Sequence, residues 1–333
     1  MARQDFRTDG EQKRVKRAVP RPSITRAPLH DKRVGIGLII SVAAVWLFWG
    51  STFAGMRLAD ATIPPFLMSG MRFATAGLLL YAWCAVSGRG RIVRGDLVRA
   101  AVSGVTLLVL GTGVMSWTVQ FVPTGVSSLL ISASPIWMAM IAFVWGGERP
   151  TRIAVCGMIL GLVGLAYLVR PDPHLHIAFV PAIISVLGSV SWAFGSIYQR
   201  RLGPPRDFLI AAALQMIAGG LVLVIIAFIS GEARTFDFAH VSVASMFGWG
   251  WLVVFGSLVG YVAYLHTMQH ASTALASTYA YVNPVVAIIV GFFVFGEHLS
   301  IGEGIASMII IAGVALMMLP ARRSYVLVPG AEP

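Results

Sequence analysis

The sequence predicts an all-α integral membrane protein of ten transmembrane helices, arranged as two inverted five-helix repeats. Three observations lead there. The chain is 57% hydrophobic and 12% charged, with a mean hydropathy of +0.80, whereas soluble domains carry about 25% charged residues. Ten apolar runs follow a polar tail, most of them near the ~20 residues a helix needs to cross the hydrocarbon. The second half of the chain restates the first at a nearly constant spacing.

Residues 1–33 hold ten Lys/Arg, four acids, Pro20, Pro22 and Pro28, and almost no large apolar side chains. Such a segment cannot bury a core, so it is expected to be a disordered cytoplasmic tail. It carries more than half of the net charge of +11. The sequence has no aromatic-studded basic face, which argues against a nucleic-acid partner. The first run, Val34–Leu58, is too long for a signal-peptide core and lacks a clear small-residue cleavage site, so it is read as the first retained span.

The runs that follow are Pro65–Val86, Leu97–Val119, Val126–Trp145, Arg152–Leu168, Ile177–Tyr198, Phe208–Ser230, Ser245–Leu265, Ala274–Phe295 and Ile301–Leu319. A short polar tail, 321–333, closes the chain. Cys84 and Cys156 fall inside runs and imply no disulfide framework. With the N-terminus in the cytoplasm, all 25 Lys/Arg fall on the cytoplasmic side except Arg57, Arg170, Arg234 and the intramembrane Arg72. The basic-residue bias of cytoplasmic loops therefore places both termini inside.

Phe48-Trp49-Gly50-Ser51-Thr52-Phe53 is echoed by Ser191-Trp192-Ala193-Phe194-Gly195-Ser196, with Gly50 over Gly195. Thr124, Ser128, Pro135, Glu148 and Gly164 fall over Thr273, Ser277, Pro284, Glu297 and Gly313 at one offset of 149. The repeats are read as 34–170 and 177–320. Five spans is an odd number, so the second copy enters from the opposite face, an architecture suited to alternating access around a site at the junction. Pro135 and Pro284 each interrupt an apolar run that ends in Gly-Glu. A proline in a helix interior removes a backbone hydrogen bond, and in a bilayer such breaks are tolerated where they are buried or line a cavity. The matched pair marks a candidate site.

Trp49-Gly50-Ser51-Thr52-Phe53, Met71-Arg72-Phe73, Ser191-Trp192-Ala193-Phe194-Gly195-Ser196 and Tyr279-Ala280-Tyr281-Val282-Asn283-Pro284-Val285-Val286-Ala287 resemble the EamA family of the drug/metabolite transporter superfamily of bacterial inner membranes. The resemblance covers roughly residues 34–320. It implies two EamA repeats, a central cavity bounded mainly by spans 1, 3, 4, 6, 8 and 9, and export of small metabolites, often amino acids or toxic analogues.

Arg72 is the only basic residue well inside a span. Its sequence counterpart is Gln215, so one half alone would carry the charge, and ionisable groups in a membrane are functional candidates. If Arg72 faces the cavity, it favours a carboxylate-bearing substrate; its alternative is a snorkelling or structural arginine. Ser277 and Tyr281 are four apart on one helix face, as are Ser128 and Ser132, and Asn283 adjoins Pro284. The resemblance places Trp49, Ser51, Trp117, Trp192, Ser196 and Tyr264 at the cavity. Aromatic walls with a few polar groups suit amphipathic or planar ligands, although interfacial belts and helix packing use the same residues. Glu148 and Glu297 are expected to pin turns. His266 and His270 are expected at the interface. Gly157/Gly161 and Gly256/Gly260 are expected to form packing seams.

The sequence shows no His-Glu-x-x-His, nucleophile elbow or phosphate loop, and no cofactor or metal is expected. The partners expected are the bilayer and a small-molecule substrate. These readings converge on an inner-membrane secondary transporter exporting small amphipathic metabolites. A drug or lipid flippase, a passive channel and, remotely, a membrane-embedded enzyme stay open as alternatives.

Overall fold

In a computed structural model, residues 32–89, 92, 94–118, 121, 133–169, 179–203, 205–296 and 301–319 are described. The described elements are helical, with no strand among the described residues. They are α1 (Lys32–Ala59), α2 (Pro65–Val86), α3 (Arg94–Thr118), α4 (Ser134–Gly146), α5 (Arg152–Val169), α6 (Phe179–Leu202), α7 (Phe208–Ile229), the short α8 (Glu232–Thr235), α9 (Val243–His270), α10 (Thr273–Ala276), α11 (Tyr279–Phe295) and α12 (Ile301–Met318). Among the described residues, six helical stretches are long and apolar enough to cross a membrane by length and composition, α1, α3, α6, α7 and α9 being five of them. The sixth, Thr273–Val294, joins α10 to α11. The ten-span arrangement goes beyond these six.

Local chemistry sets the helix ends. Pro65 opens α2 at a position where its missing N–H costs nothing. The Asp207 carboxylate accepts from the amides of Leu209 and Ile210 at 3.0 and 3.2 Å to start α7, and Ser242 and Ser272 cap α9 and α10 in the same way. Gly147 and Gly296, one repeat spacing apart, end α4 and α11 at φ 64° and 65°, a left-handed conformation that glycine adopts without strain.

The two prolines are not equivalent. Pro284 lies inside α11, as the sequence predicts. Pro135 instead occupies the first turn of α4, where a helix has no intrahelical use for its N–H; the expected interior break there is corrected to a helix start. In the second repeat the backbone is interrupted at Ser277–Thr278, between α10 and α11.

Both α3 and α9 widen into π-helix, over Gly104–Gly113 and Leu252–Val259. At the offset of 145 that aligns Gly50 with Gly195, Gly111-Thr112 falls on Gly256-Ser257. The same irregularity thus recurs at the same place in each half, and π segments concentrate at functional sites.

Packing follows the repeat. α1 lies against α9 and α11, while its counterpart α6 lies against α3 and α4, so each half's first helix docks on the other half. α2 packs on its own counterpart α7, and α5 on α12. The α5–α12 contact is a glycine seam: a Cβ on Gly157 would lie 2.6 Å from the Gly313 carbonyl, and one on Gly313 would lie 2.7 Å from the Gly161 amide. The outer surface is apolar, with Ile39, Leu79, Phe228 and Phe293 each more than half exposed. A patch this extensive needs a cover, and a bilayer supplies it.

Candidate functional site

Where α1 and α6 cross the other half, four aromatic rings meet. Trp49 (α1) packs at 5.5 Å from Trp192 (α6), 4.9 Å from Tyr264 (α9) and 5.1 Å from Tyr279 (α11). Tyr264 lies 5.3 Å from Trp192 and 5.4 Å from Tyr279. These are edge and tilted geometries, the arrangements the ring quadrupoles favour. The Trp49 indole donates to the Gly256 carbonyl at 3.0 Å, inside the π segment of α9. Ser196 and Tyr264 share a hydroxyl hydrogen bond of 2.5 Å, and Ser196 donates to the Trp192 carbonyl.

The polar atoms around these rings are under-used. Asn283 Oδ1 and, on α4, Trp137 Nε1 are buried without a hydrogen-bond partner, while Trp192 Nε1, Tyr279 OH and Ser134 Oγ are buried beside one another without a well-formed bond. An unmet buried polar group costs about 1–3 kcal/mol, and several at one junction of both halves need an explanation. A ligand with complementary donors and acceptors is one that fits.

A second set of groups flanks the rings. Arg72 is 5% exposed, donates from Nε to Ser257 Oγ at 2.8 Å and lies 4.8 Å from the Phe73 ring. Its guanidinium presses on Gly256, where a Cβ would come within 2.6 Å of Nη2. A Cβ on Gly260 would likewise meet the Trp49 indole nitrogen at 2.6 Å. The Gly256/Gly260 pair therefore makes room for two site side chains, a role beyond the helix–helix seam its spacing suggests.

Within charge range of Arg72 stands Asp60, in the α1–α2 turn, which also feels Glu232, in α8. Glu232 Oε2 accepts from the Leu67 amide at 3.0 Å and so caps α2, whose own N-cap is Pro64. Burial raises the Asp60 carboxyl to about 7; Arg72 opposes that shift and Glu232 adds to it. Glu232 is also raised by burial, against the pull of the Leu67 and Phe66 amides.

At the opposite end of the bundle, Glu148 accepts from the Thr273 hydroxyl at 2.7 Å and pairs with Arg200 at 3.5 Å. Arg201 donates to the Trp145 carbonyl. With Ala142 and Ile197, Glu148, Arg200 and Arg201 line a cavity of about 190 Å³.

This interlocked, two-part helical arrangement has known relatives. The EamA-like transporter family matches residues 35–170 and 180–319, once for each half. The chain belongs to the EamA-like transporter family. It is 35% identical over 277 residues to the uncharacterized inner membrane transporter YedA of Escherichia coli (strain K12), covering 83% of this chain and 89% of the relative. The uncharacterized transporter YvbV of Bacillus subtilis (strain 168) is 23% identical over 280 residues, covering 83% and 90%. A protein crystal structure superposes with a TM-score of 0.71 at 19% identity, covering 86% of this chain and 99% of that one, and attests the fold.

Of the site residues this EamA-family sequence suggests, Trp49, Trp192, Ser196 and Tyr264 meet at the rings, with Asn283 bearing one of the unmet atoms. Ser51 accepts from the Trp251 indole at 3.1 Å. Trp117 packs on Phe121, Ser277 donates to the Ala274 carbonyl, and none of these three has a ring or hydrogen-bond contact with the four rings among those described. Tyr281 turns away: its hydroxyl donates to the Met158 carbonyl at 3.3 Å, in the core between α5 and α12. Ser128, Ser132 and Glu297 lie outside the described residues. Sequence reasoning passed over Tyr279, Trp137 and Asp60 as site residues, whereas Ser134, next to Pro135, was singled out together with Asn283. Tyr279 lies in the stretch already singled out, and Asp60 was legible as an acid beside the end of a span. Among the described residues no cluster of His, Cys, Asp and Glu has the makings of a metal site.

Proposed function

We propose that this chain is a secondary transporter of the inner membrane that exports small amphipathic metabolites such as amino acids. Two inverted five-helix repeats, ten spans in all, alternate access to a site at the Trp49–Trp192–Tyr264–Tyr279 rings. The observation that carries this reading is the set of unmet polar atoms around those rings, contributed by both halves. A planar or amphipathic solute would stack on the rings and satisfy Tyr279 OH, Ser134 Oγ and Asn283 Oδ1. The close ring packing supports a carrier over an open pore. Pro284 and the interruption at Ser277–Thr278 give α11 a place to bend. Arg72 acts on the site at one remove, through Gly256 and Ser257.

The test compares small molecules in the medium of cells expressing the protein, its Tyr279→Phe form or neither, at equal membrane levels. A metabolite enriched by the intact protein and reduced by loss of the one hydroxyl supports export through this site. Identical media in all three cultures overturn the export reading.

A further inference from the structure

Asp60 is an unusual place to leave a carboxylate. It follows the last residue of α1, its Oδ1 is buried with no hydrogen-bond partner, and its surroundings are apolar. Ala59, Ile63, Met68 and Leu252 form a buried cluster there, with Met56, Phe236 and Trp249 packed on it. A carboxylate kept only to close a turn or pin a loop would use its lone pairs on nearby amides, as Asp207 does at the start of α7. The amides at the start of α2 are taken instead by Glu232, which arrives from the other half of the chain.

Among the described residues, the charged groups that bear on Asp60 come from different elements. The charge of Arg72 acts on it through space from α2 and that of Glu232 from α8, and Arg57 precedes it by one turn on α1. From α9 the packed faces bring the hydroxyls of Ser245 and Ser257, neither of which titrates near neutrality. Arg72 is the residue that joins this corner to the rings. Its Nε holds Ser257, its guanidinium rests on Gly256, and the Gly256 carbonyl holds the Trp49 indole. A change of charge at Asp60 alters the pull on Arg72, and Arg72 is bonded to the π segment that positions Trp49.

We propose that Asp60 is a proton-binding site coupled to the substrate site, with Arg72 reading its charge and the α9 π segment passing it to Trp49. The proposal rests on the transport reading above and supplies its coupling ion. On binding, the Asp60 carboxylate takes a proton from water and forms one O–H bond. On release the proton returns to water, and no redox step or other reactant is involved. With Asp60 ionised, the carboxylate charge and the Ser257 hydroxyl dipole both pull on the Arg72 guanidinium. With Asp60 neutral, Arg72 is drawn toward the Ser257 side alone. Glu232 makes ionisation of Asp60 harder, and its cap on α2 ties the same event to the junction of the two halves.

The experiment is a pH titration of the purified full chain in lipid vesicles, read by infrared absorption of protonated carboxyl groups and by tryptophan fluorescence. It needs no transported solute, so it stands or falls independently of the metabolite comparison. The expected result is a protonated-carboxyl band that disappears across neutrality in the intact protein and is missing in Asp60→Asn. In Glu232→Gln its midpoint shifts to lower pH, because a like charge is gone; in Arg72→Gln it shifts to higher pH, because the favourable charge is gone. The fluorescence changes with the same midpoint and loses that transition in Asp60→Asn and in Trp49→Phe. Should Asp60→Asn fail to fold, the opposite shifts in Glu232→Gln and Arg72→Gln carry the test. Persistence of the band in Asp60→Asn, or an Asp60 already ionised well below neutrality, overturns the proton site. A band that titrates without any fluorescence response overturns the coupling.

Discussion

Glu148 and Thr273, 125 positions apart, are joined by two hydrogen bonds. The Thr273 hydroxyl donates to Oε2 at 2.7 Å and its amide to Oε1 at 3.4 Å. Arg200 completes the cluster, pairing with Glu148 and donating to Thr273 Oγ1 at 3.2 Å. The α4–α5 connection of one half is thereby tied to α6 and α10 of the other. The expectation that Glu148 pins a turn is correct in kind, but the turn it pins belongs to the other repeat.

That cluster is expected to hold its end of the bundle shut. The ion pair is partly exposed and by itself is worth at most about 1 kcal/mol, while hydrogen bonds to a charged acceptor add roughly 1.5–3 kcal/mol. Glu148→Gln should therefore favour opening by about tenfold. A cysteine replacing Ile197, in a chain whose Cys84 and Cys156 are changed to serine, reports it through its alkylation rate. Equal rates with and without Glu148→Gln would show that the contact does not govern access.

The two tyrosines of the Tyr279–Pro284 stretch should separate from each other, with Tyr279 behaving like Tyr264 in transport. Tyr264→Phe keeps the ring stack and removes the bond to Ser196, so transport should fall roughly tenfold for about 1 kcal/mol or less of stability. Tyr279→Phe should lower transport while changing stability by about 1 kcal/mol or less, since its hydroxyl lies beside Ser134, Trp192 and Tyr264 without a well-formed bond. Tyr281→Phe should leave transport intact, because its hydroxyl faces Met158. Flux assays alongside thermal unfolding of the three variants decide this.

The prolines should also part ways. Pro135→Ala changes a first-turn residue and should be near neutral in both folding and flux. Pro284→Ala permits a straighter α11 and should slow transport several-fold while membrane levels hold. Equal effects at both positions would count against a hinge confined to the second half.

Stability should depend on Asp60 with a definite sign. Its folded value of about 7 lies above the unfolded 3.8, so the folded state binds more protons between those values. Its contribution is complete below the unfolded value and is lost as pH rises through the folded one. The melting temperature should thus decline from about pH 4 to about pH 7, and Asp60→Asn should flatten that slope. A slope unchanged in the variant would assign it to other groups.

The glycine seam offers a structural control. Gly313→Val places side-chain carbons against the Gly161 backbone, where even a Cβ is too close. Overpacking of this kind costs about 1–3 kcal/mol, so folded yield should drop while any correctly folded fraction keeps its transport.

The membrane class, the helical runs and the twofold repeat were legible because each is written in local quantities. Apolar length, the position of basic residues and a fixed spacing survive without knowledge of contacts. Trp49, Trp192 and Ser196 were reachable through their place in repeated motifs, and Tyr264 through the family resemblance. Tyr281 was preferred over Tyr279 because four-residue spacing from Ser277 assumes one unbroken helix. At Ser277–Thr278 the chain tightens, Ala280 and Tyr281 bonding back three residues rather than four, and Tyr279 packs on the rings instead. Arg72 was recognised as a buried charge, yet its partners Asp60 and Ser257 are 12 and 185 positions away.

The sequence by itself determined that this chain lives in a bilayer as two related helical halves, since hydropathy and repetition are properties of neighbours along the chain. Only the tertiary structure decided which side chains share a site. α1 docks on α9 and α11, and α6 on α3 and α4, and that exchange between halves brings Trp49, Trp192, Tyr264 and Tyr279 together. The physical reason is that each amphipathic or glycine-bearing face can be buried against several helices, and only the packing of all of them at once selects one.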